Sequence, residues 1–179
     1  MVTTIYLDEP ALTLHVGDAL SVLATMPDAH ADCIVTSPPY LSKRDYGVRG
    51  QYGHEPDPDS YVAALVEVLA EARRVLTPDG TCWLNLGDCY SVGGAEASGL
   101  HAYLGSGLAG RKTPAMAPKN LLGLPWRVAL ALQEDGWILR NAIVWHKPNA
   151  MPESVCDRLN CRHENDLPAG HITQLLVRP

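Results

Sequence analysis

The feature that most constrains the fold is an alternation of short apolar strands with longer amphipathic segments. Four short β-prone runs have the length of buried strands: residues 12–16, 32–36, 82–86 and 138–145. Three segments carry apolar side chains at helical spacing: residues 19–26, 59–76 and 121–132. Strands that alternate with helices predict parallel β-α-β units. We therefore expect an α/β protein with a parallel sheet and helices on both of its faces.

Local signals set the expected ends of these elements. Asp59 or Ser60 can cap the second helix, because an oxygen of either side chain can accept a free backbone N–H. A Thr-Pro-Asp-Gly run at residues 77–80 predicts a turn before the next strand. Trp126 and Trp137 are interpreted mainly as core residues.

Three breaks in the pattern fall where a strand should end. They are Gly-Asp at residues 17–18, Ser-Pro-Pro-Tyr at residues 37–40 and Gly-Asp at residues 87–88. In α/β sheets the ligand crevice lies beyond the carboxyl ends of the strands. The sequence therefore predicts an active site at this edge, where Asp88 either lines the site or caps a helix or turn.

The Ser-Pro-Pro-Tyr run suits chemistry on an amine that is conjugated to an aromatic base. Such a nitrogen is a poor nucleophile, and acceptors aimed at its N–H bonds can localise its lone pair. The Ser37 hydroxyl and the Pro38 carbonyl could accept those bonds, with Pro39 stiffening the backbone. Tyr40 could stack on a base flipped out of a duplex. A plain turn that ends a strand is the alternative interpretation of the same four residues.

Length and composition are those of one globular domain without a membrane anchor. The chain has 179 residues, of which 46% are hydrophobic, and no apolar run is long enough to span a bilayer. No leader-like segment begins the sequence, so a cytoplasmic location is expected. The five cysteines have irregular spacing, which favours reduced thiols over a disulfide framework.

Charge is distributed unevenly along the chain. Residues 1–100 hold 5 Lys/Arg and 14 Asp/Glu, a net charge of −9, whereas residues 101–179 hold 9 and 6, a net charge of +3. This asymmetry has two interpretations, chance or a group of phosphate contacts in the second half. The candidate phosphate contacts are Arg111, Lys112, Lys119, Arg127, Arg140 and Lys147.

Three other patterns carry no prediction of a site. Residues 105–110 fit G-x-G-x-x-G, but the required strand before it and helix after it are missing. Cys156, Cys161 and His163 lack the spacing of a zinc site, so we predict no metal. No Pro-Cys pair occurs, which argues against a cysteine nucleophile attacking the base.

Several runs, in one order, resemble the DNA N4-cytosine/N6-adenine methyltransferase family. They are Thr-Ser-Pro-Pro-Tyr at residues 36–40, Arg-Asp-Tyr-Gly at 44–47, the run from Arg73 to Asp88, Leu-Pro-Trp-Arg at 124–127, Gly-Trp-Ile-Leu-Arg at 136–140, and the run from Trp145 to Val155. The resemblance covers about residues 12–164. An RNA or protein methyltransferase is the less favoured alternative, because the run that begins at Trp145 is similar to the DNA enzymes.

The resemblance implies a Rossmann-like sheet. It also implies an enzyme that uses S-adenosylmethionine to methylate double-stranded DNA in a restriction–modification system. Ser37, Pro38, Pro39 and Tyr40 take the role of the catalytic loop. Asp18 is similar to an acidic residue near the cofactor adenine. The base pocket or DNA is expected at Trp145, Lys147, Asn149, Arg111 and Lys112. Family members with Ser at the first motif position often act on cytosine, so N4 of cytosine is favoured over N6 of adenine.

One family element is missing from the sequence. Members with this motif order carry a Gly-rich cofactor loop towards the C-terminus, and residues 165–179 diverge from the family pattern instead. We therefore expect residues 1–164 to form the catalytic-motif part of the domain, with a flexible Gly-rich loop at 91–118 and a sheet incomplete on its C-terminal side. The chain by itself should bind S-adenosylmethionine weakly or not at all, which a tight complex in calorimetry would contradict. The alternative function is a non-catalytic remnant, or a subunit that needs a complementary C-terminal half.

Overall fold

The structure is a computed structural model that describes residues 4–91, 116–144, 157 and 171–178. Its strands are β1 (Thr4–Glu9), β2 (Leu12–Val16), β3 (Ala31–Thr36), β4 (Leu76–Gly87), β5 (Ile138–Val144) and β6 (His171–Val177). Its helices are α1 (Ala19–Leu23), α2 (Pro58–Val75) and α3 (Leu124–Glu134). The α/β class is confirmed.

The main sheet has four strands in the order β3-β4-β6-β5, and β1 and β2 form a separate antiparallel hairpin. Strands β3 and β4 are parallel, as predicted, but β6 is antiparallel to both of its neighbours. The expectation of a purely parallel sheet is therefore wrong. Residues 171–177, which lie in the segment expected to diverge, form the strand between β4 and β5.

The described helices gather on one face of this sheet. Helix α2 packs against α3, and α3 contacts β4, β5 and β6. On the opposite face, Val35 of β3 is 78% exposed. Within the described ranges, helices on both faces are therefore not observed. Strands β3 and β5 are the two edges of the sheet.

Helix α2 follows from its sequence pattern, although its cap lies earlier than predicted. Asp57 is the N-cap, and its carboxylate accepts hydrogen bonds from the backbone N–H of Ser60 at 2.8 Å and from its hydroxyl at 2.9 Å. The predicted caps were Asp59 and Ser60. Asp57 takes the role because Pro58 suits the first helical position, where its missing N–H costs nothing.

Strand β4 runs through the predicted turn at residues 77–80, so the prediction of a break there is wrong. The register with β3 passes from Ala31–Leu76 to Cys33–Thr81, so the extra residues form an irregularity inside the strand. Beyond it, the side chains alternate and point Cys82, Leu84 and Leu86 into the core. The Thr-Pro-Asp-Gly run at residues 77–80 therefore produces a bulge inside β4 and does not end the strand.

Helix α3 begins at Leu124, three residues later than predicted, because Gly123 adopts a left-handed conformation with φ of 69°. Trp137 is buried, as predicted. Trp126 is 47% exposed, so its interpretation as a core residue is wrong.

The core lies between the two longer helices and the sheet. Buried side chains from all of these elements contribute to it, among them Tyr61, Leu65, Leu69, Leu84, Leu86, Leu132 and Leu176. Each buried leucine contributes roughly 1.5–3 kcal/mol relative to an exposed one. No helix in the described ranges has the length and apolar character needed to cross a membrane.

Candidate active site

The predicted catalytic loop leaves the sheet where β3 ends at Thr36. The next residues are Ser37, which is exposed, and Pro38, Pro39 and Tyr40, which are half-buried. The loop closes on itself, since the Ser37 Oγ and the Tyr40 hydroxyl lie 3.0 Å apart. This contact places the serine hydroxyl at the open carboxyl end of a parallel strand, as the sequence predicts.

Two residues outside the motif hold this loop. Tyr61, in the first turns of α2 and fully buried, donates its hydroxyl to the Pro39 carbonyl at 3.0 Å. Burial raises the pKa of Tyr61, so its hydroxyl stays protonated as a donor. Asn85 of β4 donates its amide to the Tyr40 hydroxyl at 3.4 Å. Helix α2 and strand β4 therefore both fix the loop.

The Asn85 contact gives the hydroxyl network a direction. An amide N–H is only a donor, so Tyr40 accepts from Asn85 and can turn its own hydrogen towards Ser37. A hydroxyl oxygen has two lone pairs, and the Tyr40 hydrogen occupies one of them. The Ser37 oxygen then retains one lone pair that can accept a hydrogen bond from a bound group.

A glycine allows a second segment to pack on the catalytic loop. Gly53 has φ of 87°, and a Cβ built on it would lie 2.7 Å from the Tyr40 carbonyl oxygen. Its own carbonyl accepts the backbone N–H of Ser42 at 2.8 Å. Any other residue at position 53 would be strained in backbone and would clash with Tyr40.

Asp18 lies beside this segment and caps the short helix α1. Its carboxylate accepts the backbone N–H and the hydroxyl of Ser21, both at 2.9 Å, and the Tyr52 hydroxyl at 3.4 Å. The backbone N–H of Ser21 is the main reason that the pKa of Asp18 is lowered. Burial, followed by the charge of Asp18, raises the pKa of Tyr52 to about 12. Asp18 is therefore an ionised acceptor connected through Tyr52 to the residues that pack on the catalytic loop.

Asp88 directly follows β4 and caps a helix, one of its two predicted roles. Its Oδ1 accepts the backbone N–H of Cys89 at 2.8 Å and of Leu124 at 3.1 Å. The N-cap residue of α3, Gly123, has no side chain, so Asp88 supplies the missing acceptor. Burial raises the pKa of Asp88 above its ordinary value.

The remaining predicted site residues lie outside the described ranges. They are Trp145, Lys147, Asn149, Arg111 and Lys112. The predicted Gly-rich loop lies outside them over residues 92–115, as do Cys156, Cys161 and His163. In the described residues, no group of three or more metal-ligating side chains is present.

Three residues of this site are not predicted from the sequence: Tyr52, Tyr61 and Asn85. One signal could have indicated Asn85, because it is a polar residue between two leucines in an otherwise apolar strand. Tyr61 carries no such signal, since a tyrosine on the apolar face of a helix looks like any core residue. Its contact with Pro39 spans 22 residues of chain.

Comparison with known proteins identifies the family. The profile of the DNA methylases, the N6/N4 methyltransferases, matches residues 31–167. The type II methyltransferase M.Cfr9I of Citrobacter freundii is 49% identical over 164 residues, covering 85% of this chain and 52% of the relative. M.SmaI of Serratia marcescens is 46% identical over 152 residues, and the match covers 83% of this chain and 52% of that relative. The chain spans about half the length of these curated relatives.

Solved structures share the fold. TTHA0409 of Thermus thermophilus, complexed with S-adenosyl-L-methionine, has a TM-score of 0.58 at 22% identity; the match covers 92% of this chain and 52% of that one. PvuII DNA methyltransferase, described as cytosine-N4-specific, has a TM-score of 0.60 at 19% identity, with 92% and 48% covered. Because the family profile matches most of the chain and the structures share its fold, the chain belongs to the N6/N4 DNA methylase family.

Proposed function

We propose that this chain carries the base-modifying site of a DNA methyltransferase that methylates an exocyclic amine, with N4 of cytosine as the favoured target. The observation that carries the proposal is the oriented serine at the end of β3. The Ser37 and Tyr40 hydroxyls lie 3.0 Å apart, and Tyr40 accepts in turn from the amide of Asn85, which leaves its own hydrogen available to Ser37. A lone pair of Ser37 and the Pro38 carbonyl form a pair of acceptors that suits the two hydrogens of an amino group.

The chemistry required of the chain is modest and electrostatic. Acceptors on the amine hydrogens withdraw the nitrogen lone pair from conjugation and make it available for attack. S-adenosylmethionine supplies an electrophilic methyl group when it is bound. As the nitrogen gained the methyl carbon, the carbon–sulfur bond of the cofactor would break and the cofactor would leave as a neutral thioether. The amine would then lose one proton to solvent, along the hydrogen bond that Ser37 or Pro38 accepts. No covalent enzyme–base bond is needed, in line with the absence of a Pro-Cys pair from the sequence.

Asp18 is the described residue that best suits the cofactor. It is ionised at neutral pH because its pKa is lowered, and among described residues its Oδ1 has only a 3.4 Å contact from Tyr52. A carboxylate with spare acceptor capacity suits the amino group of an adenine or the hydroxyls of a ribose. We therefore assign Asp18 to the adenosine part of S-adenosylmethionine.

Double-stranded DNA is the proposed substrate, with the target base flipped out to reach Ser37. Tyr40 would stack on that base, and Trp145, Lys147 and Asn149 would line its pocket. Arg111 and Lys112 would contact phosphates. Because relatives are named type II methyltransferases, we place the protein in a cytoplasmic restriction–modification system.

A second candidate function is a subunit that acts only with a complementary half. One observation favours it: Val35 on edge strand β3 is 78% exposed. An uncovered apolar edge strand is a surface that proteins usually pair or cover. Salt-sensitive DNA binding without measurable cofactor binding would favour this candidate over the complete enzyme.

The test of the proposed chemistry is methyl transfer from labelled S-adenosylmethionine to duplex DNA by matched variants. Ser37→Ala removes the acceptor, and we expect the rate to fall roughly a hundredfold, the scale of losing one aligned hydrogen bond in a transition state. Cys33→Ser is the control, because Cys33 is an exposed side chain on β3, the strand that directly precedes Ser37. Equal rates for Ser37→Ala and Cys33→Ser would overturn the role of Ser37.

A further inference from the structure

Basic residues are scarce in the first part of the chain and unevenly placed. Residues 1–100 contain five of them: Lys43, Arg44, Arg49, Arg73 and Arg74. The first three lie within the segment that directly follows the catalytic loop, although the net charge of residues 1–100 is −9 from 5 Lys/Arg and 14 Asp/Glu. Positive charge is therefore concentrated beside the site.

The other two arginines are used inside the protein. Arg74 forms ion pairs with Asp28 at 2.5 Å and Glu71 at 2.8 Å, and Arg73 pairs with Asp135 at 3.3 Å. Arg44 and Arg49, by contrast, are exposed and have no salt bridge to any described residue. Fold stability does not account for them.

The segment that carries these arginines, residues 44–49, is named here the arginine loop. The Gln51 side chain closes it, because its oxygen accepts the Tyr46 N–H at 2.7 Å and its amide donates to the Arg44 carbonyl at 2.9 Å. The Asp45 carboxylate is engaged within the loop, where it accepts the Gly47 N–H at 2.7 Å. The loop is therefore held in one shape by its own side chains, which lowers the entropy lost on binding.

The tip of the arginine loop exposes apolar side chains. Tyr46 is 56% exposed and Val48 is 53% exposed, and they lie between Arg44 and Arg49 in sequence. The base of the loop is tied to the catalytic loop, since Lys43 donates its backbone N–H to the Tyr40 carbonyl at 3.2 Å. Tyr46 and Val48 therefore lie close in sequence to the predicted catalytic serine. They are flanked by two arginines that form no ion pair with any described residue.

We propose that the arginine loop docks on duplex DNA beside the target base. Arg44 and Arg49 contact phosphates, which guanidinium groups bind in a fork geometry. Tyr46 and Val48 pack against the sugars and bases of the neighbouring steps, as apolar side chains do where a duplex is locally unstacked. This inference rests on the proposed function, because it takes DNA as the substrate.

The experiment measures binding of the chain to a fluorescently labelled duplex by anisotropy over a range of salt concentrations. Each neutralised phosphate contributes about 0.9 to the slope of log affinity against log salt. The double variant Arg44→Ala/Arg49→Ala should therefore lower the slope by about 2. Arg44→Lys/Arg49→Lys is the charge-preserving control and should retain most of the slope.

A second pair of variants tests the apolar tip. Tyr46→Ala should weaken binding about tenfold, the scale of one lost stacking contact, without changing the salt slope. Tyr6→Ala is the matched control, because Tyr6 is 75% exposed on β1 and lies away from the catalytic loop in sequence. Its binding should equal that of the wild type.

The possible failures are distinguishable. If the wild type binds the duplex and the double alanine variant has an unchanged slope, the arginine loop is not a DNA contact and the inference is overturned alone. If Tyr46→Ala binds as tightly as Tyr6→Ala, the assignment of the tip is overturned. If the folded wild type does not bind duplex DNA, the proposed function fails together with this inference.

Discussion

Replacing Tyr61 by Phe tests how the catalytic loop is held. The substitution removes one oxygen and leaves the aromatic ring in place, so it creates almost no cavity. It also removes the donor that satisfies the Pro39 carbonyl at 3.0 Å. Since Tyr61 is fully buried, water cannot replace the lost hydroxyl from the helix side without repacking. The acceptor that loses its partner belongs to the predicted catalytic loop itself.

The magnitude follows from that geometry. A hydrogen bond of this kind contributes about 0.5–1.5 kcal/mol, and a buried acceptor left without a partner costs about 1–3 kcal/mol. Pro39 is half-buried, so we expect a loss near the lower part of that range, about 1–2 kcal/mol in the free energy of unfolding. For a chain of this size, each kcal/mol shifts the melting temperature by roughly 2–4 °C.

The assay is equilibrium urea denaturation followed by far-ultraviolet circular dichroism, with Tyr6→Phe as the exposed control. The midpoint should fall for Tyr61→Phe at an unchanged slope, because the surface exposed on unfolding stays the same. If Tyr61→Phe and Tyr6→Phe unfold at the same midpoint, the Pro39 carbonyl is not held by Tyr61. In an active preparation, Tyr61→Phe should lower kcat more than it raises KM for DNA.

Two further predictions concern titratable side chains, one of them buried and one exposed. Burial raises the pKa of Asp88 above its ordinary value of 3.8, so the folded state binds a proton more tightly than the unfolded state. Stability should therefore fall as pH rises from below 3.8 through the folded-state pKa, and Asp88→Asn should flatten that dependence in denaturation curves; an unchanged pH profile would contradict it. Burial also raises the pKa of Cys82 and of Cys89 to about 12, whereas Cys33 is exposed. An aromatic disulfide reagent at mildly alkaline pH should react quickly with one thiol fewer in Cys33→Ser than in the wild type. Equal numbers of fast-reacting thiols would show that Cys33 is shielded.

The elements that sequence predicts well are those set by local periodicity. Strand β3 begins one residue before its predicted start, and the apolar face of α2 contains the leucines expected at helical spacing. The rule that sites lie at the carboxyl ends of strands also places Ser37 and Asp88 at the same edge of the sheet. These predictions need only the period of the pattern and the residues that break it.

The elements that sequence misses depend on contacts between distant segments. Asp88 caps α3 across 36 residues, and Tyr61 reaches Pro39 across 22. No local pattern encodes such a pair. Strand β6 escapes prediction for a related reason, because its place between β4 and β5 is set by pairing on both sides and not by its own composition. Trp126 shows the converse error, since a large aromatic residue need not be buried.

We propose that the site built on Ser37 methylates an exocyclic amine of DNA. The most direct measurement supplies the chain with labelled S-adenosylmethionine, at the highest concentration that the assay allows, and unmethylated mixed-sequence duplex DNA, and then digests the product to nucleosides. We predict label in N4-methylcytosine, and loss of that label in Ser37→Ala. Label in N6-methyladenine would correct the base and keep the chemistry. Label in 5-methylcytosine, or no label from folded protein that binds both DNA and cofactor, would contradict methylation of an exocyclic amine at Ser37.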